Sequence, residues 1–461
     1  MNATLRIRSK EGDNHMTTDV DRRIWADLAR PLPGWLGAAK LGIFIHWGPY
    51  SVPAWAEPTG ALGAVPESEW FRHNPYAEWY ANTIRIPGGP AAQHHHEVFS
   101  DAPYDDFLDQ WTASDFNPAA WARLFVEAGA SYVIPTTKHH DGVALWDAPG
   151  TGTRNTVHRG PRRDLVGEIA DAVRHAGLRF GVYYSGGLDW GVTDFPPLTS
   201  HADFTAWRPK DPAYNVYASL HVRDLIVRYS PDVLWNDINW PDAGKRTGLW
   251  SLHELFSDYY AGNSDGVVND RWGDTHWDFR TSEYEAMSEN EAEPGWENCR
   301  GIGFSFGYNR AEDERQILTG RQLACHLTDV VSRGGRLLLN VGPTAEGVIP
   351  ELQQASLRSL GRWMAQVGDV IRASHPAAGS VARPTNDPWV RWLDTPDHLV
   401  ALVDQTGDTT LDVDEDAVAA GEAEVRAAQG AVRVVGGSVR VSVGELIDGP
   451  IAVLLPKRRP I

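Results

Sequence analysis

A carboxylate stands between two tryptophans in the stretch 233–240, which reads VLWNDINW. The first residues form an apolar, β-rich run typical of a buried strand, and Asp237 comes where that run ends. An ionised, unpaired carboxylate in a buried strand costs several kcal/mol or is driven to hold a proton. We therefore expect Asp237 at the edge of a pocket, where arginine, histidine or a ligand satisfies it.

Polar side chains also end five other apolar runs of the sequence. A single histidine at a strand end is more often a core or capping residue, but six polar strand ends together favour a shared pocket. Besides Asp237, the end positions are His46 and Trp47, Lys138 to Asp141, Tyr183 to Ser185, Asn269 to Arg271, and Asn340.

The runs follow helix-like segments, and the pattern repeats along the chain. Asn117 and Pro118 begin an amphipathic helix that Gly129 ends before the run SYVIPTTKHH, and similar units precede the runs at 178–190, 231–240 and 336–343. Alternating helices and wholly apolar strands indicate a parallel sheet with both faces covered. The number of units favours a (β/α)8-like barrel over an open doubly wound sheet, and the sequence has no GxGxxG or Walker loop. In such barrels, reactive groups collect at the carboxyl ends of the strands.

The length and the C-terminal pattern predict two domains. We assign 20–372 to the barrel and 375–461 to a small antiparallel β-sandwich, because runs such as WVRWLD, HLVALVD and IAVLLP are short, β-branched and separated by turn residues. A structural role for the second domain is favoured over sugar binding.

Composition excludes several partners. The net charge of -19 disfavours nucleic acid and anionic membranes, and no run approaches the roughly 18 apolar residues of a membrane span. The two cysteines give no disulfide framework, and the N-terminal residues lack an apolar signal region, so we expect a cytoplasmic protein. The 20 tryptophans suit either sugar stacking or core packing.

Eight stretches, in order over roughly residues 20–370, resemble the α-L-fucosidases of glycoside hydrolase family 29. The stretches are KLGIFIHWGPYSVPAW at 40–55, EWYAN at 78–82, FNPAAWARLFVEAGASYVIPTTKHHDGVALW at 116–146, YYSGGLDW at 183–190, PDVLWNDINWP at 231–241, GVVNDRWG at 266–273, WENCRGIGFSFGYN at 296–309 and GGRLLLNVGP at 334–343. The TTKHHDG and NDRWG motifs are the specific ones.

The resemblance implies a retaining exo-glycosidase that removes terminal α-L-fucose from oligosaccharides or glycoconjugates through a covalent intermediate, without metal or cofactor. It assigns Asp237, in the LW-x-D motif, as the nucleophile, and Glu283, in the triplet SEY, as the acid/base, with Glu297 in WEN as the runner-up. A retaining enzyme needs its two carboxyls roughly 5 to 5.5 Å apart. The acidic stretch 273–296 is expected to be a long irregular loop.

The resemblance also implies a set of sugar-binding side chains, with a fucosylated glycan as the partner. Because adjacent strand residues point opposite ways, only one of Tyr183 and Tyr184 can face the pocket, and Tyr184 is the one predicted. The implied set is His46, Glu78, Trp79, His139, His140, Tyr184, Trp235, Arg271, and Phe304 or Phe306.

Several alternatives stay open. His46, His139 and His140, or the triple 94–96, could be metal ligands, but they lack the spacing of known metallohydrolase motifs, and His94 to His96 are expected in a solvated loop. An exo-glycosidase for α-L-galactosides and a non-catalytic fucose-binding protein are the functional alternatives. The linkage that is cleaved and a homo-oligomeric state stay open as well.

Overall fold

Eight parallel strands form one sheet in the computed structural model, which describes residues 24–60, 64–285, 295–411, 413–419, 423–427, 430–435, 438–446 and 448–458. The strands are β1 Leu41–Ile45, β2 Tyr132–Lys138, β3 Arg179–Ser185, β4 Val233–Asp237, β5 Val267–Val268, β6 Thr281–Glu283, β7 Glu297–Gly301 and β8 Arg336–Val341. They lie in the order β5-β4-β3-β2-β1-β8-β7-β6, and a parallel bridge between Asn269 and Phe279 joins the two ends of the sheet. Since the first strand pairs with the last, the predicted (β/α)8-like barrel is confirmed.

One short α-helix precedes the first strand, and the others lie between the strands and after β8. Asn117 accepts a hydrogen bond from the amide of Ala120 at the start of the helix Pro118–Glu127, and Gly129 follows the end of this helix with a φ of 87°, as the sequence predicts. The helices are α1 Gly34–Ala38, α2 Tyr80–Thr83, α3 Pro90–Phe99, α4 Asp105–Gln110, α5 Pro118–Glu127, α6 Leu165–His175, α7 His201–Ala206, α8 Pro212–Tyr229, α9 Leu252–Gly262, α10 Gly320–Ser332 and α11 Glu351–Ala373. Within the described ranges, no helix separates β5 from β6, so the barrel is irregular there.

Alternate strand residues belong to two separate apolar clusters. Ile43, Val182 and Leu234 pack with the surrounding helices, whereas Phe44 and Trp235 pack with the aromatic side chains of the barrel interior. This alternation follows from the two-residue period of a strand, and it decides which strand-end side chains reach the interior.

Nine further strands form two antiparallel sheets that share an apolar core, which confirms the predicted β-sandwich. Trp363 of α11 donates a hydrogen bond to the carbonyl of Pro450, and Arg391 of the strand Trp389–Asp394 pairs with Asp329 of α10 at 2.5 Å. The strands are β9 His375–Pro376, β10 Thr385–Asn386, β11 Trp389–Asp394, β12 His398–Val403, β13 Gly407–Leu411, β14 Glu424–Arg426, β15 Gly430–Val435, β16 Ser438–Val443 and β17 Ile451–Pro456. The limits 20–372 and 375–461 stay a prediction, and residues 20–23 lie outside the described ranges.

Of the helices in the described ranges, none combines the length and apolarity that a membrane crossing requires.

Candidate active site

A cavity opens at the carboxyl ends of the barrel strands, and most of the predicted site residues line it. Its walls combine strand residues with residues of the loop after β1 and of α7, which follows β3. The lining residues are Phe44, His46, Trp70, Tyr76, Glu78, Trp79, His139, His140, Tyr183, His201, Phe204, Trp235, Asp237, Ile238, Arg271, Glu283, Cys299 and Phe306.

Asp237 ends β4 and is buried, and each of its carboxylate oxygens accepts hydrogen bonds. Oδ1 accepts from Arg271 Nη1 at 3.0 Å and from the amide of Ile238 at 2.9 Å, while Oδ2 accepts from the Tyr183 hydroxyl at 2.9 Å. Burial alone would raise the pKa of Asp237, but the charge of Arg271, together with the hydrogen bonds from Arg271 and Tyr183, holds the pKa below its ordinary value. Asp237 is therefore ionised at neutral pH, as a carboxylate nucleophile must be.

Arg271 connects the two carboxyl groups of the cavity. While Nη1 donates to Asp237, Nη2 donates to Glu283 Oε2 at 3.2 Å, and Nε donates to Thr281 Oγ1 at 3.0 Å. The guanidinium carbon lies 4.7 Å from the ring centre of Trp235, a cation–π contact. These contacts fix the guanidinium plane, and with it the relative placement of both carboxylates.

Glu283 is the last residue of β6, and its neighbours reach it from other parts of the fold. Its Oε1 accepts a hydrogen bond of 2.8 Å from the hydroxyl of Tyr76, which lies in the loop after β1. On the strand, Glu283 pairs with Cys299 of β7. The prediction that 273–296 is one irregular loop is thus wrong for 281–283, and residues 286–294 lie outside the described ranges.

Glu297, the runner-up for the acid/base, does not line the cavity. It is buried at the start of β7, where Oε2 accepts from the Tyr132 hydroxyl at 2.5 Å and Oε1 accepts from Trp235 Nε1 at 2.9 Å. Burial raises its pKa. Glu297 therefore contacts the cavity wall through its hydrogen bond with Trp235, whose ring it orients.

Three histidines form one side of the cavity and are buried. His46 Nδ1 lies 2.7 Å from Asn340 Oδ1, His140 Nδ1 lies 2.7 Å from Ser185 Oγ, and His139 Nδ1 has no hydrogen-bond partner among the described residues. Burial lowers the pKa of His46 to about 4 and that of His140 to about 3, and it also lowers the pKa of His139. These rings are neutral at neutral pH, so each can offer one donor and one acceptor to a hydroxyl group.

The sequence left open a metal site formed by the histidines. Among the described residues, no group of three or more histidine, cysteine, aspartate or glutamate side chains could hold a metal ion. The expectation of a loop at His94 to His96 is wrong, because these residues lie in α3. His95 is buried and lies 3.2 Å from the Tyr80 hydroxyl, and His94 stacks on Trp55.

Glu78 is buried in the cavity wall, and burial raises its pKa to about 8. Its Oε2 accepts hydrogen bonds from the amide of Gly307 at 2.7 Å and from Ser305 Oγ at 3.3 Å. The neighbouring Trp79 packs edge-to-face against His140. Glu78 is thus a neutral carboxyl group near pH 7 and can donate its proton to a ligand.

Of the two phenylalanines in GFSFGY, Phe306 lines the cavity and Phe304 does not. Glu312 fixes this turn, because its Oε1 accepts from the amides of Phe304 and Ser305, each at 2.8 Å.

The prediction that Tyr184 faces the pocket is wrong. Tyr183 lines the cavity and donates to Asp237, whereas the Tyr184 hydroxyl lies 3.1 Å from His221 Nδ1 on the helix side of β3. The alternation of the strand indicates that one tyrosine faces inward, but not which one.

The turn after the nucleophile has an unfavourable backbone. Ile238 has a φ of 61° and Asn239 a φ of 94°, and a β-branched residue in this region costs on the order of 1–3 kcal/mol. Asn236 Nδ2 holds the turn by donating to the carbonyls of Asn239 and Arg271, both at 2.8 Å. Gly187 also permits it, since a Cβ there would lie 2.2 Å from the Ile238 carbonyl oxygen.

Several cavity residues were absent from the sequence prediction. They come from loops, from the short helix α7, or from strand positions whose inward direction only the fold reveals. These residues are Phe44, Trp70, Tyr76, His201, Phe204, Ile238 and Cys299.

Known proteins are similar to this chain in sequence and in fold. The family model described as "Alpha-L-fucosidase" matches residues 12–369. The tissue alpha-L-fucosidase of Bos taurus is 35% identical over 371 residues, covering 76% of this chain and 71% of that protein, and the alpha-L-fucosidase of Dictyostelium discoideum is 32% identical, covering 86% and 83%. Among solved structures, the Thermotoga maritima alpha-fucosidase in complex with fucose has a TM-score of 0.80 and 41% identity, covering 93% of this chain and 97% of that chain.

Proposed function

The chain belongs to the α-L-fucosidase family, and on that basis we propose that it hydrolyses terminal α-L-fucosyl residues of oligosaccharides or glycoconjugates with retention of configuration. The observation that carries the proposal is the shared contact of Arg271 with Asp237 and Glu283 in one cavity. Retaining glycosidases need two carboxyl groups on either side of the scissile bond. The presence of both carboxyl groups also argues against a non-catalytic fucose-binding protein.

In the proposed first step, Asp237 attacks the anomeric carbon and Glu283 protonates the glycosidic oxygen. A carboxylate C–O bond forms at the anomeric carbon, the bond to the leaving oxygen breaks, and the leaving group departs as an alcohol. The low pKa of Asp237 keeps the attacking group ionised. Tyr76 and Arg271 orient the Glu283 carboxyl group towards the same region of the cavity.

In the second step, Glu283 removes a proton from water while the water oxygen bonds to the anomeric carbon. The ester bond to Asp237 breaks, and the carboxylate returns to Arg271 and Tyr183. Glu283 recovers the proton that it gave in the first step. Two inversions at one carbon give net retention.

The rest of the cavity suits a deoxy sugar. Neutral His46, His139 and His140 and the protonated Glu78 offer donors and acceptors to hydroxyl groups, and Phe44, Trp235 and Phe306 form apolar walls for the C5 methyl group. The solved fucose complex of the Thermotoga maritima enzyme supports this choice of sugar. An α-L-galactoside would place its additional hydroxyl group against an apolar wall, which disfavours it.

The test is cleavage of 4-nitrophenyl α-L-fucoside by the wild type, with the α-L-galactoside as the matched control and NMR detection of the first anomer formed. We expect release of 4-nitrophenol, a slower rate with the galactoside, and α-L-fucose as the first product. A faster rate with the galactoside would contradict the substrate, and β-L-fucose as the first product would contradict the retaining mechanism.

Four further assignments stay predictions: the domain limits, the cytoplasmic location, the absence of nucleic-acid and membrane partners, and activity without a cofactor. Activity that persists after chelator treatment would support the last of these. The oligomeric state is a question for light scattering.

A further inference from the structure

The cavity has an inner part and a rim that come from different parts of the fold. Phe44, Trp235 and Cys299 lie within strands, whereas the rim residues lie beyond the strand ends. The rim residues are Trp70 from the loop after β1, His201 and Phe204 from α7, and Ile238 from the turn after β4. The rim is mainly apolar and aromatic.

If the proposed function holds, the terminal sugar fills the inner part and the leaving group faces the rim. The nucleophile ends β4, and Ile238 is one residue further towards the opening of the barrel. Because an exo-acting enzyme binds one sugar in the enclosed part, the atoms beyond the glycosidic oxygen must pass the loop residues.

Isoleucine is an unusual residue for the backbone conformation at position 238. Its φ of 61° lies in the left-handed region, where glycine or asparagine fits and a β-branched residue is strained. Its amide donates to Asp237, but every residue other than proline has that amide, so the contact with the nucleophile does not require isoleucine. What isoleucine adds is its side chain, which is half-buried at the rim and packs against the cluster that contains Trp79 and Trp235.

We propose that the Ile238 side chain is part of the binding site for the leaving group, and that its strained backbone is retained because this side chain contacts that group. With Phe204 and Trp70, the side chain forms an apolar wall for leaving groups that present an apolar face, such as aryl groups or the C–H face of a pyranose ring. The inference rests on the proposed function, because it needs the sugar in the inner part of the cavity.

The experiment compares Ile238→Gly, Ile238→Ala and Ile238→Val with the wild type. We measure Tm, kcat/KM for 4-nitrophenyl α-L-fucoside and for a fucosyl disaccharide, and the inhibition constant of free L-fucose. Ser230→Gly is the matched control: Ser230 is exposed, has a φ of 43° at the end of α8, and does not line the cavity.

We expect Ile238→Gly and Ile238→Ala to lower kcat/KM by roughly tenfold on both substrates, as loss of a small apolar contact does, while the inhibition constant of L-fucose stays unchanged. The glycine variant should have a higher Tm than the alanine variant, because glycine removes the backbone strain. Ile238→Val should retain most of the activity, and Ser230→Gly should leave the kinetics unchanged.

A rise in the L-fucose inhibition constant that matches the loss in kcat/KM would overturn the proposal, because Ile238 would then contact the sugar itself. A loss confined to the glycine variant would also overturn it, since the cause would be a loosened turn. If the wild type neither cleaves the fucoside nor binds L-fucose, the proposed function fails and the inference fails with it, an outcome that the variants alone cannot produce.

Discussion

Tyr183 and Asp237 lie on neighbouring parallel strands, and the Tyr183 hydroxyl donates a 2.9 Å hydrogen bond to Oδ2 of the carboxylate. The other oxygen of Asp237 is held by Arg271 and by the amide of Ile238. Both oxygens therefore have donors on the protein, which favours the ionised form in a buried position.

Tyr183→Phe should lower kcat/KM by roughly tenfold to a hundredfold and move the acid limb of the pH profile to higher pH. The shift has this sign because loss of a donor to the ionised form raises the pKa of Asp237, so the group takes up a proton earlier as the pH falls. Tyr184→Phe is the control, since its hydroxyl contacts His221 and not the cavity; it should lower Tm and leave kcat/KM unchanged. Equal kinetic losses in the two variants would contradict the assignment.

Arg271→Lys should lower kcat by roughly a hundredfold or more, although the charge is kept. A lysine ammonium cannot reproduce the fork that donates to Asp237 and Glu283 together, nor the stacking on Trp235. Steady-state kinetics with the aryl fucoside and a pH profile check this expectation. A lysine variant with nearly the wild-type rate would show that the fork geometry is dispensable.

Glu78→Gln should change how both activity and stability depend on pH in the alkaline range. Burial raises the pKa of Glu78 from 4.5 to about 8. Between these two pH values, the folded state therefore binds a proton that the unfolded state lacks. The contribution to stability is complete below about pH 4.5 and is lost as the pH rises through about 8. The variant should lose that dependence and keep its activity above pH 8. Matched Tm and kcat/KM measurements from pH 5 to 9 test this, and identical slopes for the two proteins would contradict it.

Glu283→Gln and Glu297→Gln separate the two candidates for the acid/base. The activity of the Glu283 variant should fall more on substrates with poor leaving groups than on substrates with good ones. Azide should restore turnover by forming α-L-fucosyl azide. Glu297→Gln should keep activity within about tenfold, because its amide oxygen can still accept from Trp235. Azide rescue of the Glu297 variant, with the same product, would reverse the assignment.

Much of the site could be predicted because its residues end apolar, regularly spaced segments. Asp237 and His46 stand at the ends of runs that are long enough to define strands, and a barrel brings such ends together. Which strand residues face the interior was harder to predict, because Tyr183 and Tyr184 are equivalent in the sequence. A register difference of one residue turns every side chain of a strand to the opposite face.

Other features of the site could not be predicted from the local sequence. The turn contains no glycine, and isoleucine gives no indication of the positive φ at position 238. Tyr76, in a loop, and Phe204, in α7, reach the cavity from positions that are remote in sequence from the strand ends. The short strand ending at Glu283 lies in an acidic stretch whose composition is typical of a solvated loop.

The most direct test of the account is Asp237→Gly assayed with 4-nitrophenyl α-L-fucoside, with and without azide. We expect kcat to fall by at least about a thousandfold and to recover with azide, which enters the space of the missing carboxylate and yields β-L-fucosyl azide. A variant that keeps its rate, or one that azide restores with the α anomer as product, would contradict the assignment of Asp237 as the nucleophile.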